Sequence, residues 1–317
     1  MSEGPEVRIV ADNIGAVLLS NDTKIEFILQ NKLSDEIKSK IIGSSVEFVK
    51  TFGKNIVIKF SSNVYLRNHM MMWGKWRIYD REKYDNGSAR PPPRRPTRQI
   101  NNQSPSLKKT KSVSNSNIQL QTNNVLDTRK DSRVRLTIIT ADKVLVQFNG
   151  PVIEFSLDDP STRPPISLLG PDPLTKNFDK DQVLSNLLEK SKRDKNLLIV
   201  KALLDQQIIS GIGNKYKSEI LFLRKIYPFT NVTSLSDSDL EKLVSNIPKI
   251  LNFGYINNGR TRAVDNPNHG KMTWDDTHWV FRRAGKKCWK CGTKILSEKK
   301  TTLRSTFWCP LCQVNDN

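Results

Sequence analysis

Leu204-Asp205-Gln206-Gln207-Ile208-Ile209-Ser210 runs into Gly211-Ile212-Gly213, and Asn214-Lys215-Tyr216-Lys217-Ser218-Glu219 runs out of it. The apolar spacing predicts a helix over 197–209 and another over 214–224. Between them, two glycines permit positive φ and close backbone approach. Lys215 and Lys217 then fall in a helix's first turn, where the macrodipole disfavours cations. An anion held between the exposed N–H groups and the lysines would resolve that conflict, so the segment reads as a phosphate-gripping variant of the helix-turn-helix. An ordinary αα-hairpin is the simpler alternative.

Working outward, helical spacing recurs over 183–192 and 237–251, and a cysteine-bearing tail closes the chain. All four cysteines lie in it, as Cys288-x2-Cys291 and Cys309-x2-Cys312 with seventeen residues between the pairs. Paired thiolates at this spacing can grip one tetrahedral zinc ion, and the intervening stretch is long enough for a β-hairpin; disulfides are the alternative, disfavoured by a start without an export signal. Four protein ligands leave no open position, so such a zinc is structural. In the other direction, Gly170-Pro171-Asp172-Pro173 reads as a domain boundary. Before it lie β-type runs at 46–52, 56–60, 64–67, 76–79, 134–140 and 144–148, which is antiparallel-sheet material, headed by a helix with Pro5 at its first position and Glu6 in its first turn. Residues 81–131 break the pattern with Pro91-Pro92-Pro93-Arg94-Arg95-Pro96 and Lys108-Lys109-Thr110-Lys111, and read as a disordered basic insertion. The expected domains are 1–165, 170–275 and 279–317.

The chain's 317 residues exceed what one core of about 250 residues accommodates. Lys and Arg number 51 against 32 Asp and Glu, a net charge of +19 that points to a polyanionic partner. No apolar run approaches the ~20 residues that cross a bilayer. The start has neither the basic nor the apolar region of a secretory signal, so the expected location is intracellular, cytoplasmic or nuclear.

Five motifs in order, Glu3-Gly4-Pro5-Glu6-Val7, Gly53-Lys54, Asn68 through Arg77, Gly211-Ile212-Gly213-Asn214 and the four-cysteine finger with Arg304-Ser305-Thr306, resemble the formamidopyrimidine-DNA glycosylase and endonuclease VIII family. The Ala11-Asp12-Asn13 stretch and the uninterrupted 68–77 segment look more like the endonuclease VIII branch. The resemblance implies an α+β fold: an N-terminal helix and antiparallel β-sandwich, then a helix-two-turn-helix domain with a zinc finger, with DNA in the cleft between them. It implies excision of oxidised bases, pyrimidines before purines, followed by strand cleavage, by a monomer acting on DNA with oxidised bases or abasic sites.

Carried over position by position, residue 2 is the nucleophile, through the α-amine exposed once Met1 is removed. An α-amine with a reference pKa of ~7.7–8 is far less protonated near neutrality than a lysine at ~10.4. The family usually has proline there, whereas this chain has Ser2. A secondary amine gives a cationic iminium outright, but serine's primary amine gives an imine that must be protonated to withdraw electrons equally, so weaker strand cleavage is expected. Glu3 resembles the family's acid, Lys54 the lysine that contacts phosphate and assists elimination, and Arg304 the finger arginine that grips phosphates beside the flipped nucleotide. Asn214 matches a phosphate-holding residue at the helix start, with Lys215 beside it as a further DNA contact. Met71, Met72 and Trp73 suit a wedge filling the place of an extruded base, with ordinary sandwich core as the alternative. Glu6, Asp172 and Glu219 match family acidic positions but have local capping or helix-face explanations. His69, His269 and His278 are too scattered for a metal site. Two rivals stand beside the enzyme: a catalytically silent lesion-binding member, prompted by Ser2, and a zinc-ribbon protein acting through its basic insertion.

Overall fold

The computed structural model describes residues 2–20, 22–93, 128–263 and 273–314. Helix α1 (Gly4–Leu18) is capped by Glu3, whose backbone N–H donates to the Glu6 carboxylate at 3.2 Å, and Pro5 lies within its first turn. There follow β1 (Phe27–Leu29), α2 (Asp35–Ile41), β2 (Val46–Phe52), β3 (Asn55–Phe60), β4 (Tyr65–His69), β5 (Lys75–Asp80), α3 (Arg81–Asp85), β6 (Val134–Ile139), β7 (Lys143–Phe148) and β8 (Val152–Ser156). They form two four-stranded antiparallel sheets, ordered β1-β6-β7-β5 and β2-β3-β4-β8.

The inner faces meet in one core: Ile56, Ile58, Phe60 and Leu66 of one sheet face Leu136, Ile138 and Leu145 of the other, and Val7, Ala11, Ile14 and Leu18 of α1 close it. Buried Trp76 donates its indole N–H to Asn68 Oδ1 at 2.9 Å, which ties the sheets together at the cleft end. The six strands expected from sequence all form. The sequence pattern does not predict the short β1 and β8; each has polar or charged neighbours and gains its partners only in the assembled sheet.

The expected disorder over 81–131 needs correction at both ends. Arg81–Asp85 is helical, and buried Tyr84 and Ala89 pack on Ile139, Val144, Val146 and Phe148. On the return side Thr128 donates to Ala89 O at 2.8 Å, and Arg133, paired with Asp131, donates to Pro92 O at 2.8 Å. Apolar contact with the sheet and satisfied backbone groups order these two stems. Residues 94–127, which carry the basic runs, lie outside the described residues.

The C-terminal half contains α4 (Lys180–Arg193), α5 (Ile199–Ala202), α6 (Asn214–Leu223) and α7 (Asp237–Ile256), then a hairpin of β9 (Leu296–Glu298) and β10 (Thr306–Trp308). The helix expected over 197–209 shrinks to α5. Beyond it Asp205 accepts the Gln207 N–H at 3.0 Å, and Gln206 Nε2 donates to Leu204 O and Ile212 O, both at 2.9 Å. These side-chain bonds satisfy the backbone in turns instead of a helix. Ile208 and Ile209 are still buried among Val183, Leu187, Leu243 and Ile247, so their periodic spacing reflects the core and not a helix.

Candidate active site in the cleft between the two halves

The halves meet through bonds that place the N-terminus. Gly4 N donates to Gly211 O at 2.8 Å, and Gly53 N, at the tip of the β2–β3 hairpin, donates to Asp172 at 3.0 Å. Burial raises the pKa of Asp172. Beside this seam opens a cavity of about 710 Å³ lined by Ser2, Glu3, Lys54, Met71, Met72 and Arg304, together with Asn55, Arg67, His69, Gln206 and the apolar wall Leu168, Leu169 and Leu204. Six of the residues singled out in the sequence therefore share one cleft.

Glu3 is buried, and its carboxylate sits on the first turn of α6. It accepts N–H bonds from Gly213 at 3.0 Å, Lys215 at 2.7 Å and Tyr216 at 3.1 Å. Gly213 is required here, because a side-chain carbon at that position would lie 2.5 Å from the Glu3 carboxyl carbon. The anion inferred at this helix start is thus the protein's own.

The lysines differ from expectation for the same reason. Lys215 is buried, and its ammonium pairs with Glu6 and donates to Gly259 O at 2.7 Å, so it is not available to DNA. Burial raises the Glu6 pKa, and Lys215 opposes that shift. Lys217 is also buried, donating to Thr306 Oγ1 at 2.8 Å and Thr302 Oγ1 at 3.1 Å, with its pKa lowered to about 8 chiefly by burial. Asn214 uses its amide N–H on Ser305 O at 3.0 Å, joining α6 to the Arg304 loop. It acts here as an internal brace.

Lys54 donates to Ile212 O at 2.6 Å from the hairpin tip. Burial lowers its pKa to about 8, with nearby Glu3 opposing and Arg304 reinforcing the shift. Arg304 is exposed on the β9–β10 turn, where Thr302 Oγ1 holds its carbonyl at 2.7 Å. Met71, Met72 and Trp73 are about half exposed (49%, 49% and 52%), which removes the sandwich-core alternative for all three. Met71 and Met72 line the cleft; Trp73 lines a neighbouring depression with Met72, Lys75, Pro92 and Arg133. Glu219 is wholly buried and accepts the backbone N–H groups of Trp279, Val280 and Phe281 at 2.8 to 2.9 Å, stitching α6 to the tail. His278 is interior, its pKa lowered to about 3 by burial. His269 lies outside the described residues.

Arg67, which no motif marks, also lines the cleft. It binds Glu154 through two bonds at 2.8 and 2.9 Å, and Asn55 at 2.7 Å. Its signal was an arginine and an asparagine inside otherwise buried strand runs.

The sulfur atoms of Cys288, Cys291, Cys309 and Cys312 lie within 4.8 Å of one another. Four thiolates each ~2.3 Å from a common tetrahedral ion have this spacing. The cluster caps a small core of Phe222, Val280, Phe281, Ile295 and Phe307 and anchors both ends of the hairpin that carries Arg304.

The chain matches the formamidopyrimidine-DNA glycosylase N-terminal domain over residues 1–134 and the formamidopyrimidine-DNA glycosylase H2TH domain over 169–264, together well over half its length. The chain belongs to the formamidopyrimidine-DNA glycosylase and endonuclease VIII family. Endonuclease 8 of Escherichia coli (strain K12 / DH10B) is 28% identical over 316 residues, spanning 99% of this chain and 100% of the relative. Endonuclease 8 of E. coli O17:K52:H18 is 29% identical over 317 residues, with the same coverage. The Lactococcus lactis Fpg in complex with DNA containing an abasic site has the same fold, with a TM-score of 0.69 at 22% identity over 99% of this chain and all of that one. MutM in complex with DNA containing carbocyclic 8-oxo-G gives 0.68 at 21% identity, with the same coverage. The sandwich, the helical half and the four-cysteine cluster are those of this family's fold. No described helix is long and apolar enough to cross a membrane.

Proposed function

We propose that this protein is a bifunctional DNA glycosylase and abasic-site lyase in base excision repair, taking oxidised bases and favouring pyrimidines. The observation that carries the proposal is the convergence of Ser2, Glu3, Lys54 and Arg304, far apart in sequence, on one cleft with Met71 and Met72 at its edge. The endonuclease 8 relatives and the DNA-bound neighbours favour damaged DNA as the occupant.

In this reading the α-amine of Ser2, freed of Met1, attacks the anomeric carbon of an extruded nucleotide, and the base departs with the bonding pair and gains a proton. The bond from the anomeric carbon to the ring oxygen then breaks, the oxygen taking a proton and the nitrogen losing one, to leave an imine; once protonated, it accepts the electrons released when a proton leaves the neighbouring sugar carbon, and the 3′ phosphate is expelled. Glu3 places its carboxylate beside the positive charge that develops on the sugar. Its Oε1 accepts one backbone bond and its Oε2 two, so a lone pair on Oε1 is left to carry a proton. Lys54, with its pKa near 8, serves as phosphate contact when protonated and as proton acceptor when not. Arg304 grips the phosphates. Cys288, Cys291, Cys309 and Cys312 would hold a structural zinc, which would neutralise the thiolates and keep the Arg304 hairpin folded.

The test is incubation with duplexes containing an oxidised pyrimidine or an oxidised purine, with and without borohydride. Free base, strand scission and a trapped covalent adduct are expected, all lost on amino-terminal acetylation. Lesion binding with neither base release nor adduct would instead establish the silent member that Ser2 in place of proline favours.

A further inference from the structure

The loop joining β4 to β5 reverses within Met70–Gly74. Gly74 N donates to Met70 O at 2.8 Å, and a side-chain carbon at Gly74 would lie 2.5 Å from that oxygen, so the reversal is tight. At its apex Met71 takes φ +51°, the left-handed region that side chains disfavour. Met71 N donates to Nδ1 of His69, two residues back, at 3.1 Å. A backbone amide can only donate, so Nδ1 must be the bare ring nitrogen and the proton of the neutral ring sits on Nε2.

His69 is the last residue of β4 and pairs with Asn55 across the sheet, so its backbone is fixed. Burial, then the charges of Lys54 and Arg67, lower its pKa and keep the ring neutral. The ring lines the cleft with Met71 and Met72.

We infer that His69 is the positioning residue of the apolar wedge: its Nδ1 holds the Met71 amide, and through it the left-handed turn that presents Met71 and Met72 to a gap in a base stack. This rests on the proposed extrusion of a base from duplex DNA. It gives His69 a task separate from any contact that its Nε2–H makes with DNA, and the two tasks are separable. Asparagine can place an amide oxygen near the Nδ1 position, whereas glutamine places its terminal group near Nε2.

The experiment compares H69N with H69Q, following extrusion by the fluorescence of 2-aminopurine beside the lesion and base release from duplex and single-stranded substrates. H69N is expected to extrude faster than H69Q by about tenfold, the equivalent of one lost hydrogen bond, while the two release base equally from the single strand. The reverse order on duplex, or an equal loss on both substrates, would overturn the inference while leaving trapping by wild type intact. If wild type extrudes nothing, the proposed function fails as well. Nitrogen-15 shifts of the His69 ring in the free protein provide a check without catalysis: a bare Nδ1 and protonated Nε2 are expected, and the opposite tautomer contradicts the assignment.

Discussion

The start of α6 and the rim of the cleft present the same kind of signal in the sequence, charged or bulky groups where plain structure does not favour them, yet the fold uses them differently. At the α6 start every such group is turned inward: Glu3 on the helix N–H groups, Lys215 on Glu6, Lys217 on two threonines, Glu219 on the backbone of the tail. At the rim, Met71, Met72 and Arg304 remain at the surface. A cation in a helix's first turn therefore indicates an anion nearby, but that anion can belong to the same chain. Here it also locks the first residues into the cleft, so the internal network at α6 determines where the proposed nucleophile stands.

The largest effect is expected at the four-cysteine cluster, which anchors the Arg304 hairpin and whose core includes Phe222 of α6. Cys309→Ser, or zinc removal by a chelator, is expected to unfold the tail and abolish strand cleavage, because the hairpin bearing Arg304 packs on the small core that the cysteines cap. The sandwich should keep its secondary structure by circular dichroism; full activity of the zinc-free protein would refute the finger's role. Next comes Lys215→Met, which leaves the half-buried Glu6 without its ammonium partner and should cost ~1–3 kcal/mol in denaturant unfolding. Unchanged stability would mean that Lys215 is not part of the internal network. Arg304→Ala, by contrast, should leave the melting temperature alone while lowering the slope of log affinity against log salt by about 1, the loss of one phosphate contact. A fall in stability with an unaltered slope would move Arg304 from the rim to the scaffold.

The smallest effect concerns Lys217. Its folded pKa of about 8 lies below that of an exposed lysine, so between those values the unfolded chain binds more protons and stability rises with pH. The cost of burying its charge is fully present below pH 8 and is relieved above it. Wild type should therefore gain in melting temperature relative to Lys217→Met between pH 7 and pH 9.5, and a constant difference would show that the ammonium is not titrating in that window.

Much of the fold was legible because strands and helices announce themselves through apolar period, and the cysteine spacing alone located the finger. Residues 197–209 misled because Ile208 and Ile209 keep helical spacing while Asp205 and Gln206 divert the backbone into turns. The insertion's stems were hidden because a lone Tyr84 or Ala89 shows no period; only the finished sheet provides its partners. The places of Lys54 and Arg304 at the cleft follow the motifs that carry them, but those of Arg67 and His69 could not be read, since what distinguishes them is their neighbours across a hairpin. The direction in which Lys215 and Lys217 point is a tertiary property that no local pattern encodes.

In the proposed reaction the nitrogen of residue 2 attacks the sugar. Reducing the protein with borohydride on lesion-containing DNA, digesting it and locating the adduct by mass spectrometry tests that step directly. The deoxyribose remnant is expected on the α-nitrogen of Ser2 in a peptide lacking Met1. A remnant on Lys54 or another lysine, with Ser2 unmodified, would contradict it.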